Sequence, residues 1–326
     1  MPSEAIRLPI LICGVPGVPG FNAYHHFRKR FPGEGQVIAI HPSRNRRLTG
    51  EGVVSCDTFD AEALAELWDK HRFGSVLSFA GSCNLKACEL DPEMADRVNV
   101  LGTRNVAMLA AAHGTRMIHL SSDLVFAGRD GGQYLEDDTP DPVTVYGKTM
   151  VIGEQVVQDL HPDSCVLRIS LPMGLSANGH AGAIDWIESR FARNLPATLY
   201  YDEVRTPTYV GCMNRLYERL LGNRLAGLFH AGAPRQLSLY QIAQVINRVG
   251  GYSPDLLKGC PRVDAGPMPP RAGDVTMDSS RLLSELGGEI FQPWPLNADW
   301  VPEGQNWHVE PLGGEVGPLQ IRATLI

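Results

Sequence analysis

This chain of 326 residues lacks most of what would tie it to a large partner. Its 29 lysines and arginines are outnumbered by 36 aspartates and glutamates, for a net charge of −7. The basic face that a nucleic-acid binder needs is therefore absent. An anionic small molecule would be held by local arginines, not by a global positive field. No apolar stretch approaches a membrane span, and the run at 8–13 is too short even for a signal-peptide core. Seven cysteines, at 13, 56, 83, 88, 165, 212 and 260, form no CxxC pair and have no histidine at a ligand spacing. A disulfide framework and a metal site are thereby disfavoured, and a reducing, cytoplasmic setting is expected. Internal repeats and low-complexity tracts are missing too.

What remains is alternation. Apolar runs at 8–13, 36–41, 53–56, 75–80, 116–121 and 164–169 are short and rich in Val, Ile and Leu. They read as buried parallel strands, apolar on both faces. Helical stretches at 20–31, 60–71, 92–113 and 144–160 lie between them. The pattern predicts an α/β fold, a Rossmann-type doubly wound parallel sheet. After residue 170 the rhythm loosens: helices at 182–193, 210–222, 237–249 and 279–286, a strand at 198–201, and the apolar Leu228-Phe229-His230. We expect a dinucleotide-binding domain over 1–170, a smaller substrate lobe over 171–290, and a tail over 291–326. The tail carries Trp294, Trp300 and Trp307, so it is expected to dock on the body or on a partner.

Gly14, Gly17 and Gly20 follow the first strand and open the first helix. In that context they let the backbone approach a pyrophosphate, which then rests on the helix N-terminus. An acid at the end of the second strand would bind the ribose hydroxyls of NAD. Here the text is His41-Pro42-Ser43-Arg44-Asn45-Arg46-Arg47, with no carboxylate and three arginines. NADP(H) is the expected cofactor, with NAD(H) second.

Ser122 ends a strand and Tyr146 starts a helix, a spacing at which a hydroxyl and a phenol meet in an active site. Around them stand Val98-Asn99-Val100-Leu101-Gly102-Thr103, Ser121-Ser122-Asp123-Leu124-Val125-Phe126, Glu136-Asp137-Asp138-Thr139-Pro140 and Tyr146-Gly147-Lys148-Thr149-Met150, then Gly153-Glu154. Arg205-Thr206-Pro207-Thr208-Tyr209-Val210 and Arg271-Ala272-Gly273-Asp274-Val275 follow. On these segments the chain, from residue 8 to about 287, resembles the extended short-chain dehydrogenases/reductases. The likeness is to the branch of dTDP-4-dehydrorhamnose reductase and the methionine adenosyltransferase regulatory β subunit.

The resemblance implies reduction of a keto group on a nucleotide sugar or similar polar metabolite by hydride transfer. It implies Ser122 and Tyr146 as the catalytic pair, with Asn99 in support. Ser43, Arg44, Arg46, Ala80, Gly81, Tyr146 and Met150 would join the three glycines around the cofactor. Ser122, Arg205 and Arg271 would meet the substrate, and a homodimer is a further expectation. The chain departs from the pattern at Met150, where the branch carries a lysine. That lysine lowers the tyrosine's pKa and holds the nicotinamide ribose. Lys148 is two residues from Tyr146, about 200° around a helix, and so faces elsewhere. Two rival readings therefore stay open: a non-catalytic, cofactor-binding regulatory or scaffold subunit, and a nucleotide-sugar epimerase or dehydratase.

Overall fold

The computed structural model describes residues 4–45, 48–79, 81–129, 131–179 and 181–326. The first six strands are β1 (Ile10–Cys13), β2 (Val37–His41), β3 (Val53–Ser55), β4 (Ser75–Ser78), β5 (Arg116–Ser122) and β6 (Cys165–Ile169). Short pairs follow: β7 (Pro172–Met173), β8 (Ala197–Tyr200), β9 (Val204–Arg205) and β10 (Thr208–Tyr209). Then come β11 (Gly227–Ala231), β12 (Leu237–Ser238) and β13 (Leu257–Cys260). Seven of these form one parallel sheet in the order β11-β6-β5-β4-β1-β2-β3. The order reverses between β1 and β4, and an open sheet of this kind keeps its binding crevice there, beyond the strands' carboxyl ends.

Alternate residues of each strand feed two cores. Ile10, Ile12, Val37, Ala39, Leu77 and Ile118 belong to one apolar cluster, while Leu11, Cys13, Ile38, Ile40, Val76 and Met117 belong to another. A sheet buried on both faces needs apolar residues at every position, which is why its strands read as unbroken runs.

The helices of the first half are α1 (Val18–Arg30), α2 (Ala61–His71), α3 (Leu85–Leu90), α4 (Pro92–Asp96), α5 (Gly102–Ala112) and α6 (Val145–Leu160). Helix α1 starts two residues earlier than expected because Pro19 is well placed in a first turn. The helix expected over 92–113 is α4 and α5 joined by a π turn at Arg97–Leu101. Helix α3 was not legible: six residues show no periodicity, and Asn84 caps them through Ala87 N–H.

The second half adds α7 (Ala183–Ala192), α8 (Val210–Leu221), α9 (Leu239–Val249), α10 (Ser280–Leu286) and α11 (Pro318–Thr324). Pairings β7–β10, β8–β13 and β9–β12 hold this part together. The first core continues from β1 through Ile246 of α9 to Trp294, Ile321 and Leu325. Trp294 is fully buried, and its indole N–H donates to the Leu325 carbonyl at 2.8 Å. Trp300 and Trp307 pack partly buried against the same core. Among the described residues, no helix is long and apolar enough to cross a membrane.

Candidate active site

The glycine loop is shaped by close approach. Gly14 has φ +81°, and a Cβ on Gly20 would stand 2.3 Å from the Gly14 carbonyl oxygen. Only hydrogen fits there, so α1 begins hard against the end of β1. Gly17 is the N-cap of α1 and brings no capping side chain, and the first turn holds no acid. Its N–H groups and the positive end of the helix dipole are left for an anion.

At the adenosine end, Ser43 and Arg44 are exposed just past β2. The strand end carries no acid in sequence, yet β3 delivers one in space. The Ser43 hydroxyl donates to Asp57 Oδ2 at 2.5 Å, and Ser43 N–H donates to Oδ1 at 3.3 Å. Arg46, Arg47 and Ala80 lie outside the described residues.

Ser122 ends β5, and Tyr146 sits in the first turn of α6. Thr144 caps that helix through Gly147 N–H at 2.9 Å. A Cβ on Gly147 would be 2.2 Å from the Leu124 carbonyl oxygen, so α6 enters flush against the turn that follows Ser122. Tyr146 thereby starts its helix close against the turn that follows Ser122. Burial is the main force raising the phenol's pKa, and the Cys83 thiol and Asp123 carboxylate push the same way. The Ser122 hydroxyl and the Arg205 guanidinium oppose them and lose.

Met150, one turn after Tyr146, belongs to an apolar cluster with Phe126, Tyr134, Val275 and Met277, against which Tyr146 itself packs. Lys148 is exposed, as its helical position requires. Asn99 is buried in the π turn: its Oδ1 accepts from Ser82 N–H at 2.7 Å, and its Nδ2 donates to Thr149 Oγ1 at 2.9 Å. Gly81 lies beside this amide. Asn99 thus ties the loop after β4 to α6.

The two arginines expected at the substrate differ. Arg205 is turned inward: Nε and Nη2 donate to both oxygens of Asp123 at 2.6 Å each. A fully buried carboxylate thus already holds two of the guanidinium nitrogens that sequence assigned to the substrate. Arg271 keeps a partly exposed side chain over the Tyr200 ring, 3.6 Å from the buried Glu203 carboxylate. Its Nε has no hydrogen-bond partner among the described residues.

Sequence reasoning assigned no role to Asp123, Glu203 or the Glu154–Arg168 pair. Arg168 meets Glu154 at 2.9 and 2.8 Å behind β5, and Ser121 donates to the same carboxylate. The only signal for them was charge inside apolar or motif-bearing segments.

A family model described as "RmlD substrate binding domain" matches residues 9–298. The probable low-salt glycan biosynthesis reductase of Haloferax volcanii is 28% identical over 71% of this chain and 78% of its own length. Methionine adenosyltransferase 2 subunit beta of Bos taurus is 32% identical over 74% of this chain and 73% of that protein. The crystal structure of dTDP-4-dehydrorhamnose reductase from Bacillus anthracis, in complex with NADP, superposes with a TM-score of 0.75 at 19% identity. It covers 88% of this chain and 96% of that one. At that identity the likeness speaks for the fold.

Proposed function

The chain belongs to the RmlD substrate-binding-domain family, and from that premise we propose that it is an NADP(H)-dependent reductase of a keto group on a nucleotide sugar. The carrying observation is the placement of Ser122 at the end of β5 and Tyr146 in the first turn of α6, with Gly147 packed on the turn that follows Ser122. Residues 1–170 supply the cofactor side, 171–290 the substrate side.

The glycine cradle suits a dinucleotide, since it excludes a Cβ at Gly20 and leaves the α1 N–H groups free of side-chain partners. Gly14, Gly17 and Gly20 would hold the pyrophosphate, and Arg44 with Arg46 the 2′-phosphate. Bound NADPH supplies a hydride. Ser122 hydrogen-bonds the carbonyl oxygen, and Tyr146 gives that oxygen its proton. Asn99 fixes the loop carrying Gly81 against α6. Arg271, with an unpartnered Nε, is the cation for the substrate's diphosphate.

One observation favours a second reading. The place of the family lysine is apolar, and the buried cation that acts on the phenol, Arg205, is tied to Asp123. A regulatory subunit that binds cofactor without turning it over would tolerate both. Following NADPH consumption against a panel of 4-keto nucleotide sugars separates the two, with Tyr146→Phe as control. Turnover that Tyr146→Phe abolishes supports the reductase. Tight NADPH binding with no turnover on any ketone supports the subunit.

A further inference from the structure

Ser122 has one proton to give and a buried carboxylate beside it. Its Oγ accepts from Leu124 N–H at 3.2 Å and lies 3.2 Å from Asp123 Oδ1. A carboxylate accepts but does not donate, so the serine is the donor in that contact. A serine that spends its proton on Asp123 cannot also donate to a substrate oxygen.

The Asp123 carboxylate, however, is nearly saturated. It offers about four lone-pair sites. Arg205 fills two of them at 2.6 Å each, and the Ser170 hydroxyl fills a third at 2.7 Å. The contact left to Ser122 is the long one. A carboxylate oxygen that already accepts short, charge-assisted bonds has few lone-pair sites left for a further donor. Asp123 is wholly buried, so water does not compete for it. Arg205 is itself buried and held from behind by Glu203 at 3.9 Å, which keeps the fork in place.

We infer that Arg205 is a positioning residue that occupies the Asp123 carboxylate and so keeps the Ser122 proton available to the substrate's carbonyl oxygen. The inference rests on the reductase reading and adds to it a residue that acts through Asp123. It also accounts for a strong acid acceptor beside a hydroxyl that has to donate. Without Arg205, Asp123 would take the serine's proton into a strong bond and disable it.

The test is the kinetics of Arg205→Gln and Arg205→Lys, each alone and each combined with Asp123→Asn, on the nucleotide-sugar ketone that the wild type reduces. Arg205→Gln is expected to lower kcat by roughly tenfold or more, approaching the roughly hundredfold lost when a donor to the reacting oxygen is removed outright. NADPH affinity stays near the wild-type value. Arg205→Lys keeps the charge with one bond fewer and loses severalfold. Adding Asp123→Asn rescues most of the loss in both, because a neutral amide oxygen makes only an ordinary claim on the serine.

A pair that merely joined strands would behave oppositely, with the double variants as slow as the singles or slower. That result overturns the inference, as do single variants with wild-type kcat. Arg205→Gln leaves a buried carboxylate unpaired, and if it does not fold, the Arg205→Lys pair decides alone. A wild type that reduces no ketone removes the reductase reading and this inference with it. Wild-type turnover without rescue removes this inference alone.

Discussion

Tyr146 stands where its proton is hard to remove. Burial holds the phenol above its ordinary value, and no ammonium offsets this, since Met150 and not lysine lies one turn on. The sign of the pH dependence follows. Reduction needs the protonated phenol, which is present throughout the accessible range, so reductive kcat should be flat from about pH 6 to about pH 9. Oxidation needs the phenolate, so its rate should climb about tenfold per pH unit across the same window. Initial rates in both directions check this, and an oxidative plateau at neutral pH would mean that another group is the base. Met150→Lys places an ammonium beside the phenol, so the oxidative profile should move to lower pH. The same ammonium enters an apolar cluster, so the melting temperature of the cofactor-free protein should fall and NADPH should restore it. Paired pH profiles and melts of the variant test both halves.

At the scale of elements, the glycine loop and the β2 end are joined by β3, which brings Asp57 to Ser43. A 2′-phosphate arriving at Arg44 meets a carboxylate that already owns the nearest hydroxyl. Asp57→Asn removes that charge and loosens Ser43, so NADPH should bind severalfold tighter while NADH changes little or weakens. Calorimetric titration with both cofactors measures the ratio, and an unchanged ratio would put Asp57 outside the phosphate's reach. The π turn at Arg97–Leu101 is a second device of this kind. It points Asn99 at the loop after β4 and at Thr149 of α6, so two elements of the site share one amide. The helical pattern over 92–113 was readable, but a π turn leaves no mark in periodicity, so the aim of Asn99 was not.

On the scale of the whole molecule, the tail completes the first core. Trp294 fills a fully buried position, and Tyr209, next to the Thr206-Pro207-Thr208 segment, donates its hydroxyl to the Thr324 carbonyl at 2.8 Å. Leu296 N–H donates to the same phenol at 2.9 Å. The tail therefore braces a segment that borders the substrate side. Trp294→Ala should cost about 3–5 kcal/mol of stability, as large-to-small changes of buried aromatics do. Truncation after residue 290 should cost more and lower solubility. Thermal melts and sedimentation of both variants check this, and an unchanged melting temperature for the truncated chain would show the tail to be dispensable.

Strand–loop–helix at residues 8–31 and the parallel sheet were legible in sequence because each rests on short-range demands. These are runs buried on two faces and a glycine where no Cβ fits. The departure at Met150 was legible for the same reason, being one turn of helix from Tyr146. Tertiary structure alone decided the charges. Arg205 and Asp123 are 82 residues apart, and Ser43 and Asp57 follow different strands. A guanidinium near a motif reads identically whether it faces a phosphate or a buried acid. Only the tertiary fold, which brings Arg205 of β9 to Asp123 just past β5, turned the guanidinium inward.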